Sequence, residues 1–177
     1  TAAYVAEKLG LPTNPFKSVE ILAFKDKFRE FLRENNFNCP KAKGFLSLER
    51  AKQEINQFTF PVMVKPIDSS GSKGVSKVEK VEDFEEAYKI ALDNSRGKNI
   101  IVEEFIEQDH DYMIAGDCFV IDGEVEFWGL LNSHRNDKVN PYVPVGTSYP
   151  IDISKNRLDL VKKDTQRLFD SLDVEFG

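Results

Sequence analysis

The sequence contains little of several features on which particular classes of protein depend. Its 177 residues include two cysteines and two histidines, with no CxxC pair, so neither a disulfide scaffold nor a zinc site is predicted. No apolar run approaches the roughly 18 residues of a membrane-spanning helix. The N-terminus lacks the charged and apolar regions of a signal peptide. We therefore expect a cytoplasmic protein with reduced cysteines and no membrane partner.

Positive charge is in the minority. The 24 Lys and Arg residues against 30 Asp and Glu residues give a formal net charge of −6. Sequence-independent binding of nucleic acid needs a positively charged surface, so no nucleic-acid partner is expected. Apolar residues are plentiful, at 41 % with 14 Phe. The chain can therefore build a core, and a local basic pocket for a small anion stays compatible with its composition.

The hydrophobic periodicity changes along the chain from helical to alternating and back. Helices are predicted at 2–9, 24–35, 48–58, 83–94 and 154–172, with Ser18 as the N-cap of a short turn at 19–23. Strands are predicted at 60–66, 75–81 and from 100, and a hairpin at 112–121 and 124–131. Asp122-Gly123 favours a type I′ turn in that hairpin. Residues 132–150, with three prolines, are predicted to be irregular. This order indicates an α+β protein with largely antiparallel sheets.

The strongest local pattern is Lys65 at the end of an apolar strand, followed by a glycine-serine loop at residues 68–74, DSSGSKG. Glycines allow backbone N–H groups to approach a polyphosphate, and serine hydroxyls add donors. The loop fits neither the GxxxxGK[ST] pattern nor GxGxxG. A polar hairpin loop with a lysine at its base is the competing interpretation.

Residues 60–78, FPVMVKPIDSSGSKGVSKV, resemble the lid of ATP-grasp enzymes, which carry the pattern FPVxxKPxxxxxxxGVxxV. Two further segments support the resemblance in the same order along the chain. FKDK at 24–27 is similar to the opening segment of the family, and VEEFI at 102–106 is similar to its hinge. Biotin carboxylase, carbamoyl-phosphate synthetase and the D-alanine–D-alanine ligases belong to this superfamily. The resemblance is greatest to proteins like carbamoyl-phosphate synthetase.

The resemblance implies a set of ATP contacts. Lys27 and Lys65 would contact phosphate oxygens, and Glu103 would accept a hydrogen bond from the adenine amino group. Asp111 would contact the ribose, with Asp109 and His110 as nearby alternatives. The loop residues Ser69, Ser70, Gly71, Ser72 and Gly74 would cover the triphosphate. Glu104, Phe105 and Ile106 would supply backbone and an apolar wall, in which we expect Phe105 and Ile106 to be buried. Each of these roles has a simpler alternative. Lys27 could be one of several lysines on a solvated helix, and Glu103 and Glu104 could be ordinary charges at the end of a strand.

The resemblance also implies a division of the chain and a missing part. Residues 1–59 would be a helical lead-in, 60–103 the lid subdomain, and 104–177 an incomplete C-terminal subdomain with an antiparallel sheet. The Glu-x-Asn-x-Arg segment that binds Mg²⁺ in the family is absent from these residues. We therefore expect a fragment of an ATP-grasp protein whose magnesium ligands lie beyond Gly177, and which is inactive by itself.

The implied activity of the parent protein is ATP-dependent joining of a carboxylate to an amine or related nucleophile through an acyl-phosphate. Its partners would then be ATP, Mg²⁺, and small carboxylate and amine substrates, with homodimer formation left open. A non-catalytic nucleotide-binding or regulatory module is the alternative, followed by an interaction domain without nucleotide. His134-Arg135 could orient a carboxylate or acyl-phosphate, or be a solvated loop pair.

Overall fold

The computed structural model describes residues 2–136, 138 and 140–177, which form two compact units. Unit 1 comprises residues 1–20 and 108–177, and unit 2 comprises residues 21–107. The helices are α1 (Ala2–Leu9), α2 (Phe16–Ala23), α3 (Lys25–Glu34), α4 (Leu48–Glu54), α5 (Phe84–Asp93) and α6 (Lys155–Ser171). The strands are β1 (Ala42–Phe45), β2 (Val62–Pro66), β3 (Ser76–Val78), β4 (Ile100–Glu104), β5 (Met113–Ile121), β6 (Glu124–Asn136) and β7 (Asn140–Ser148).

Unit 2 is built on a four-stranded antiparallel sheet with the order β1-β4-β2-β3. Residues of α4 and α5 pack against this sheet to form the hydrophobic core, in which Phe84, Val62 and Val102 are almost completely buried. The two central strands, β4 and β2, are mostly apolar in sequence because neighbouring parts of the unit bury them. Three charged residues, Lys65, Glu103 and the terminal Glu104, lie in these strands, and of them only Glu103 is fully buried.

Unit 1 contains a three-stranded antiparallel meander in the order β5-β6-β7. Asp122 and Gly123, both with positive φ, connect β5 to β6, as the predicted type I′ turn requires. Ser154 caps α6 by accepting a hydrogen bond from the backbone N–H of Arg157. Backbone hydrogen bonds between Val120 and Gly177 attach the residues that follow α6 to the edge of β5.

Two expectations about secondary structure are wrong, and one short strand was not predicted. Residues 132–150 are not irregular, since β6 continues to Asn136 and β7 begins at Asn140. The prolines are tolerated because β7 is an edge strand, where a missing N–H interrupts no second ladder. Ser18 does not cap a turn but lies inside α2 and is buried. The short strand β1 was not predicted, because AKGF has no clear alternation.

The other predicted helices and strands are confirmed to within a few residues, as is the mixed architecture with antiparallel sheets. Ser47 caps α4 as its position before the helix suggests. In the part of the chain that the structure describes, no helix combines the length and apolar character needed to cross a bilayer.

Candidate active site

The pairing of β2 with β4 brings Lys65 and Glu103 onto one face of the unit 2 sheet. Met63 lies opposite Glu103, and Lys65 lies opposite Ile101, so Lys65 and Glu103 are diagonal neighbours on the same face. The Lys65 Nζ atom donates to Oε2 of Glu103 at 2.6 Å. The Glu103 side chain is 4 % exposed and the Lys65 side chain 21 %. The ion pair is therefore largely removed from solvent.

Helix α3 adds two more cations to this pair. Arg29 Nε donates to the other oxygen of Glu103, Oε1, at 2.9 Å. One turn earlier, Lys25 Nζ donates to the backbone oxygen of Ser69 at 2.6 Å. Residues four apart lie on the same side of a helix, so α3 presents both side chains on one side, with Arg29 at Glu103 and Lys25 at the base of the glycine-serine loop. We call Lys25, Arg29, Lys65 and Glu103 the cation cluster.

The pKa shifts within the cation cluster agree with this geometry. Burial lowers the pKa of Lys25, and the positive charge of Lys65 lowers it further. For Glu103, burial acts to raise the pKa, but the charge of Lys65 and the hydrogen bonds from Arg29 and Lys65 outweigh it and lower the pKa. Glu103 is thus held as a carboxylate, and Lys25 is a lysine whose positive charge is disfavoured by its surroundings.

Lys27, predicted to reach phosphate, is not part of the cation cluster. It is exposed, and its Nζ atom lies 5.3 Å from the centroid of the Phe24 ring. Lys25 and Arg29 were missed by the sequence analysis. The helical periodicity does place both residues on the inward side of α3, because positions 25, 29 and 32 share one side of the helix and Leu32 is buried. The predicted phosphate contact of Lys27 remains untested.

The glycine-serine loop connects β2 and β3 and is anchored at its base. The Asp68 carboxylate accepts hydrogen bonds from the N–H groups of Gly97 at 2.6 Å and Arg96 at 3.2 Å, and from Ser95 Oγ at 2.9 Å. Ser69 Oγ donates to the Asn94 backbone oxygen. The loop base is therefore attached to the segment that follows α5.

The tip of this loop is the part available to a ligand. Ser70 and Gly71 are exposed, and Ser72 and Gly74 are partly exposed. Gly71, Ser72 and Gly74 all have positive φ, a conformation in which successive N–H groups can line a concave surface for an anion. The predicted role of the loop in covering a triphosphate is compatible with this backbone but is not tested by it.

Residues 104–106, which resemble the hinge of the family, differ from one another in their hydrogen bonds and in their exposure to solvent. Glu104 Oε1 accepts from the Thr59 N–H, and the Glu104 N–H donates to the Lys41 carbonyl. The Phe105 N–H donates to the Pro61 carbonyl, and its ring lies under Lys77 Nζ at 4.2 Å. Ile106 was expected to be buried, but its side chain is 67 % exposed. This expectation was wrong because β4 ends at Glu104, and Ile106 follows in a segment without strand partners.

Asp111 lies in unit 1, at the entrance of β5, and is exposed. Its neighbour Asp109 is engaged by Arg157, which donates to both carboxylate oxygens at 3.0 and 2.7 Å, and by His110. Those contacts hold the pKa of Asp109 well below its usual range. Asp109 and His110 are therefore already paired, which leaves Asp111 as the acidic side chain of this segment that faces a cavity.

The open cavity beside Asp111 has a volume of about 280 Å³ and is lined by residues at the start of β5 and the end of β6. Met113 and Ser133 are opposite each other in the ladder, and the Tyr112 and His134 rings make an edge contact at 4.8 Å. Arg135 lies in the wall of the cavity. The His134-Arg135 pair is therefore part of a strand, not of a solvated loop.

Comparison with known proteins identifies the family. Residues 5–127 match the model described as the D-ala D-ala ligase C-terminus. The carbamoyl phosphate synthase large chain of Thermoanaerobacter sp. (strain X514) is 27 % identical over 163 residues, which cover 90 % of this chain and 15 % of that protein. The formate-dependent phosphoribosylglycinamide formyltransferase of Methanocaldococcus jannaschii is 36 % identical over 110 residues, covering 60 % of this chain and 28 % of that protein.

Solved structures share the fold. The L-amino acid ligase from Bacillus licheniformis superposes with a TM-score of 0.73 at 24 % identity, covering 99 % of this chain and 40 % of that one. The VanG D-Ala:D-Ser ligase from Enterococcus faecalis superposes with a TM-score of 0.77 at 20 % identity, covering 97 % and 52 %. The chain thus spans only 15–16 % of the carbamoyl phosphate synthase chains that it matches.

The family match includes the whole of unit 2, with the lid strand, the glycine-serine loop and the hinge. The resemblance inferred from residues 24–27, 60–78 and 102–106 is thereby confirmed. This chain belongs to the D-Ala–D-Ala ligase C-terminal family of ATP-grasp proteins.

Proposed function

We propose that the protein containing this chain is an ATP-dependent ligase, and that the cation cluster of unit 2 binds the phosphate groups of ATP. The observation that supports this most is that Arg29 and Lys65 both donate to the buried carboxylate of Glu103, while Lys25, close enough to interact with both charges of the Lys65–Glu103 pair, donates to the Ser69 carbonyl at the base of the loop. Three cations and one carboxylate leave two positive charges. If Asp68, which also acts on Lys25, is counted as well, one positive charge remains.

An uncompensated positive charge is unusual in a chain with a net charge of −6. Desolvated cations cost free energy unless an anion reaches them. A polyphosphate would supply that anion, and loop N–H groups at 71–74 would add donors to its oxygens. The lowered pKa of Lys25 fits this proposal, because a phosphate oxygen near its Nζ atom would restore the preference for the charged form.

The proposed reaction joins a carboxylate to an amine or related nucleophile. The carboxylate attacks the γ-phosphate of ATP, giving an acyl-phosphate and ADP, and the nucleophile then displaces phosphate. Lys25, Arg29 and Lys65 would neutralise charge on the phosphates and hold them in position, which lowers the barrier without covalent participation of the protein. Mg²⁺, when bound with ATP, would neutralise further charge on the phosphates, and no described side chain of this chain is assigned to the metal.

The experiment compares Lys65→Ala with Lys73→Ala in the full-length protein. Both lysines belong to the lid, but Lys73 is exposed at the loop tip. Loss of a charged hydrogen bond is worth about 1.5–3 kcal/mol, so Lys65→Ala should raise the apparent Kd for ATP by about 10–100-fold. Lys73→Ala should change it less than about threefold.

Circular dichroism and thermal melting must show that both variants are folded, and Lys25→Ala serves as a second test of the cluster. Equal effects of Lys65→Ala and Lys73→Ala would contradict the phosphate contact. ATP binding without turnover of any carboxylate–amine pair would instead favour a non-catalytic nucleotide-binding module.

A further inference from the structure

A groove in unit 2 lies between helix α3 and the edge strand β1. Its volume is about 540 Å³, within the roughly 300–1,000 Å³ that is common for ligand clefts. Asp26 and Glu30 line it from the helix, and residues 42–46 line it from the strand. Among the described residues that line it, Arg29 is the one member of the cation cluster, and the glycine-serine loop contributes none. What the groove binds can therefore be argued without the proposed nucleotide contacts.

The strand side of the groove has backbone groups that no other strand uses. The order β1-β4-β2-β3 leaves β1 paired on one edge only. The Lys41 carbonyl accepts from the Glu104 N–H, and successive residues of a strand direct their N–H and C=O groups to opposite edges. Because Ala42 lies opposite Glu103 in this register, the backbone groups of Ala42 and Gly44 point away from β4. They have no ladder partner among the described strands, so another strand can pair with them.

The charges that line the groove are balanced except at Asp26. The other charged side chains take part in ion pairs, which are Arg29–Glu103, Arg33–Glu30 and Lys43–Glu54. None of the ion pairs between described residues includes Asp26. Its Oδ1 atom is buried without a hydrogen-bond partner among these residues, and a carboxylate oxygen left in this way costs free energy. The groove therefore has one uncompensated negative charge, which a cationic partner would complement.

Gly44 brings this carboxylate next to the free edge of β1. A Cβ atom on Gly44 would lie 3.2 Å from Asp26 Cβ and 3.4 Å from Asp26 Oδ2. In an antiparallel pair, the residue directly opposite Gly44 would lie about 5.5 Å away and would direct its side chain to the same face. A long basic side chain at that position can therefore reach Asp26. Leu46, which is 79 % exposed and lines the same groove, would add an apolar contact.

We propose that this groove binds an extended peptide segment, which pairs with the free edge of β1 and places a lysine or arginine side chain beside Asp26. The backbone groups of Ala42 and Gly44 bind the peptide main chain, and Asp26 selects the basic residue. Strand β1 has four residues, and so short an edge limits indiscriminate strand pairing. Binding therefore depends on the basic side chain as well as on the main chain.

The test measures the fluorescence anisotropy of the peptide TVTKTVT, capped at both ends and labelled with a neutral dye, in a titration with the full-length protein. The peptide TVTQTVT, which differs only in its central residue, should bind about tenfold or more weakly, because it lacks the charged hydrogen bond to Asp26. Methylation of the backbone nitrogen of the central lysine should weaken binding by about fivefold or more, because this N–H pairs with Gly44.

Asp26→Asn should weaken binding of TVTKTVT to the level of TVTQTVT and leave the affinity for TVTQTVT unchanged. The matched control is Asp93→Asn, at an exposed position of α5 outside the groove. This control should change neither affinity by more than about twofold. If Asp26→Asn does not fold, the three peptides measured on the parent protein still decide the outcome.

Four results would overturn the proposal. Equal affinities for the lysine and glutamine peptides would remove the role of Asp26, and unchanged binding of the methylated peptide would exclude pairing with β1. Displacement of TVTKTVT by a non-hydrolysable ATP analogue would assign the groove to the nucleotide site. Absence of binding would show that the edge is closed to peptides, whether by a second copy of the chain or by another segment of the full-length protein.

Discussion

The Nζ atom of Lys65 lies 2.6 Å from Oε2 of Glu103, and Arg29 holds the other carboxylate oxygen. Both strand residues were predicted to contact ATP, at different parts of the nucleotide. In the structure they contact each other, and together they join helix α3 to the sheet of unit 2. A nucleotide phosphate at this site would therefore compete with Glu103 for Lys65, or add to an existing network.

The first prediction concerns the pH dependence of stability at Glu103. Its pKa is lowered in the folded chain, so its contribution to stability is fully present above its ordinary value of 4.5 and is lost as pH falls through the lower folded value. Glu103→Gln should reduce the free energy of unfolding by about 1–3 kcal/mol at neutral pH. The difference from the parent should shrink below about pH 4.5, measured by urea unfolding at several pH values. A difference that grows on acidification would contradict the assignment.

The second prediction compares two arginines of α3. Arg29→Gln removes the hydrogen bond to Oε1 of buried Glu103 and should destabilise unit 2 by about 1–2 kcal/mol. Arg33→Gln, whose ion pair with Glu30 spans 3.6 Å between two well-exposed side chains, should stay within about 0.5 kcal/mol of the parent. Chemical denaturation followed by circular dichroism measures both. Similar losses would mean that the contact of Arg29 with Glu103 has no net stabilising effect.

The third prediction concerns the glycines of the loop. Gly74 has φ +69, and a Cβ there would lie 2.6 Å from Asn94 Cβ, whereas Gly71 has φ +67 with open space around it. Gly71→Ala should therefore cost only about 1 kcal/mol of backbone strain. Gly74→Ala should cost about 2–4 kcal/mol, because the loop must also move away from Asn94, the residue that ends α5. Thermal unfolding of the two variants checks the order, and the reverse order would contradict the packing of the loop.

The fourth prediction concerns β5 and β6 in unit 1. Gly116 has φ +145, and a Cβ there would overlap the Gly129 carbonyl oxygen on the facing strand. Gly116→Ala should destabilise the unit by about 3 kcal/mol or more. Gly146→Ala, on the edge strand β7 with nothing within 4 Å, should change stability by less than about 0.5 kcal/mol. Hydrogen exchange of the β5 and β6 amides would show whether these strands lose protection in Gly116→Ala. Equal protection in the two variants would contradict the predicted clash at Gly116.

The secondary structure of unit 2 was largely predictable because its patterns are local. Phe84, Ala87 and Ala91 recur at helical spacing and are buried, and the proline-bounded run before the loop is a strand. The strand β7 was not predictable in this way. Its prolines favour an irregular segment, and only its pairing with β6 at the edge of the sheet accounts for them.

The candidate site was predictable in part for the same reason. Lys65 and Glu103 stand out as charges in apolar strands, and the family motif selects them. The contribution of Arg29 depends on how α3 lies on the sheet, and the cavity at Arg135 depends on which residues of β5 and β6 face each other. Neither relation has a short-range pattern in the sequence.

The amino-acid sequence by itself determined the family, most of the helices and strands, and the prediction that Lys65 and Glu103 are site residues, because motifs and periodicity act over a few residues. The tertiary structure alone decided that Arg29 binds that glutamate, that Lys25 binds the base of the adjoining loop, and that Asp111 and Arg135 line one cavity. Those outcomes rest on contacts between residues 24 to 74 positions apart, where helix placement and strand register, which depend on the packing of the whole unit, set the geometry.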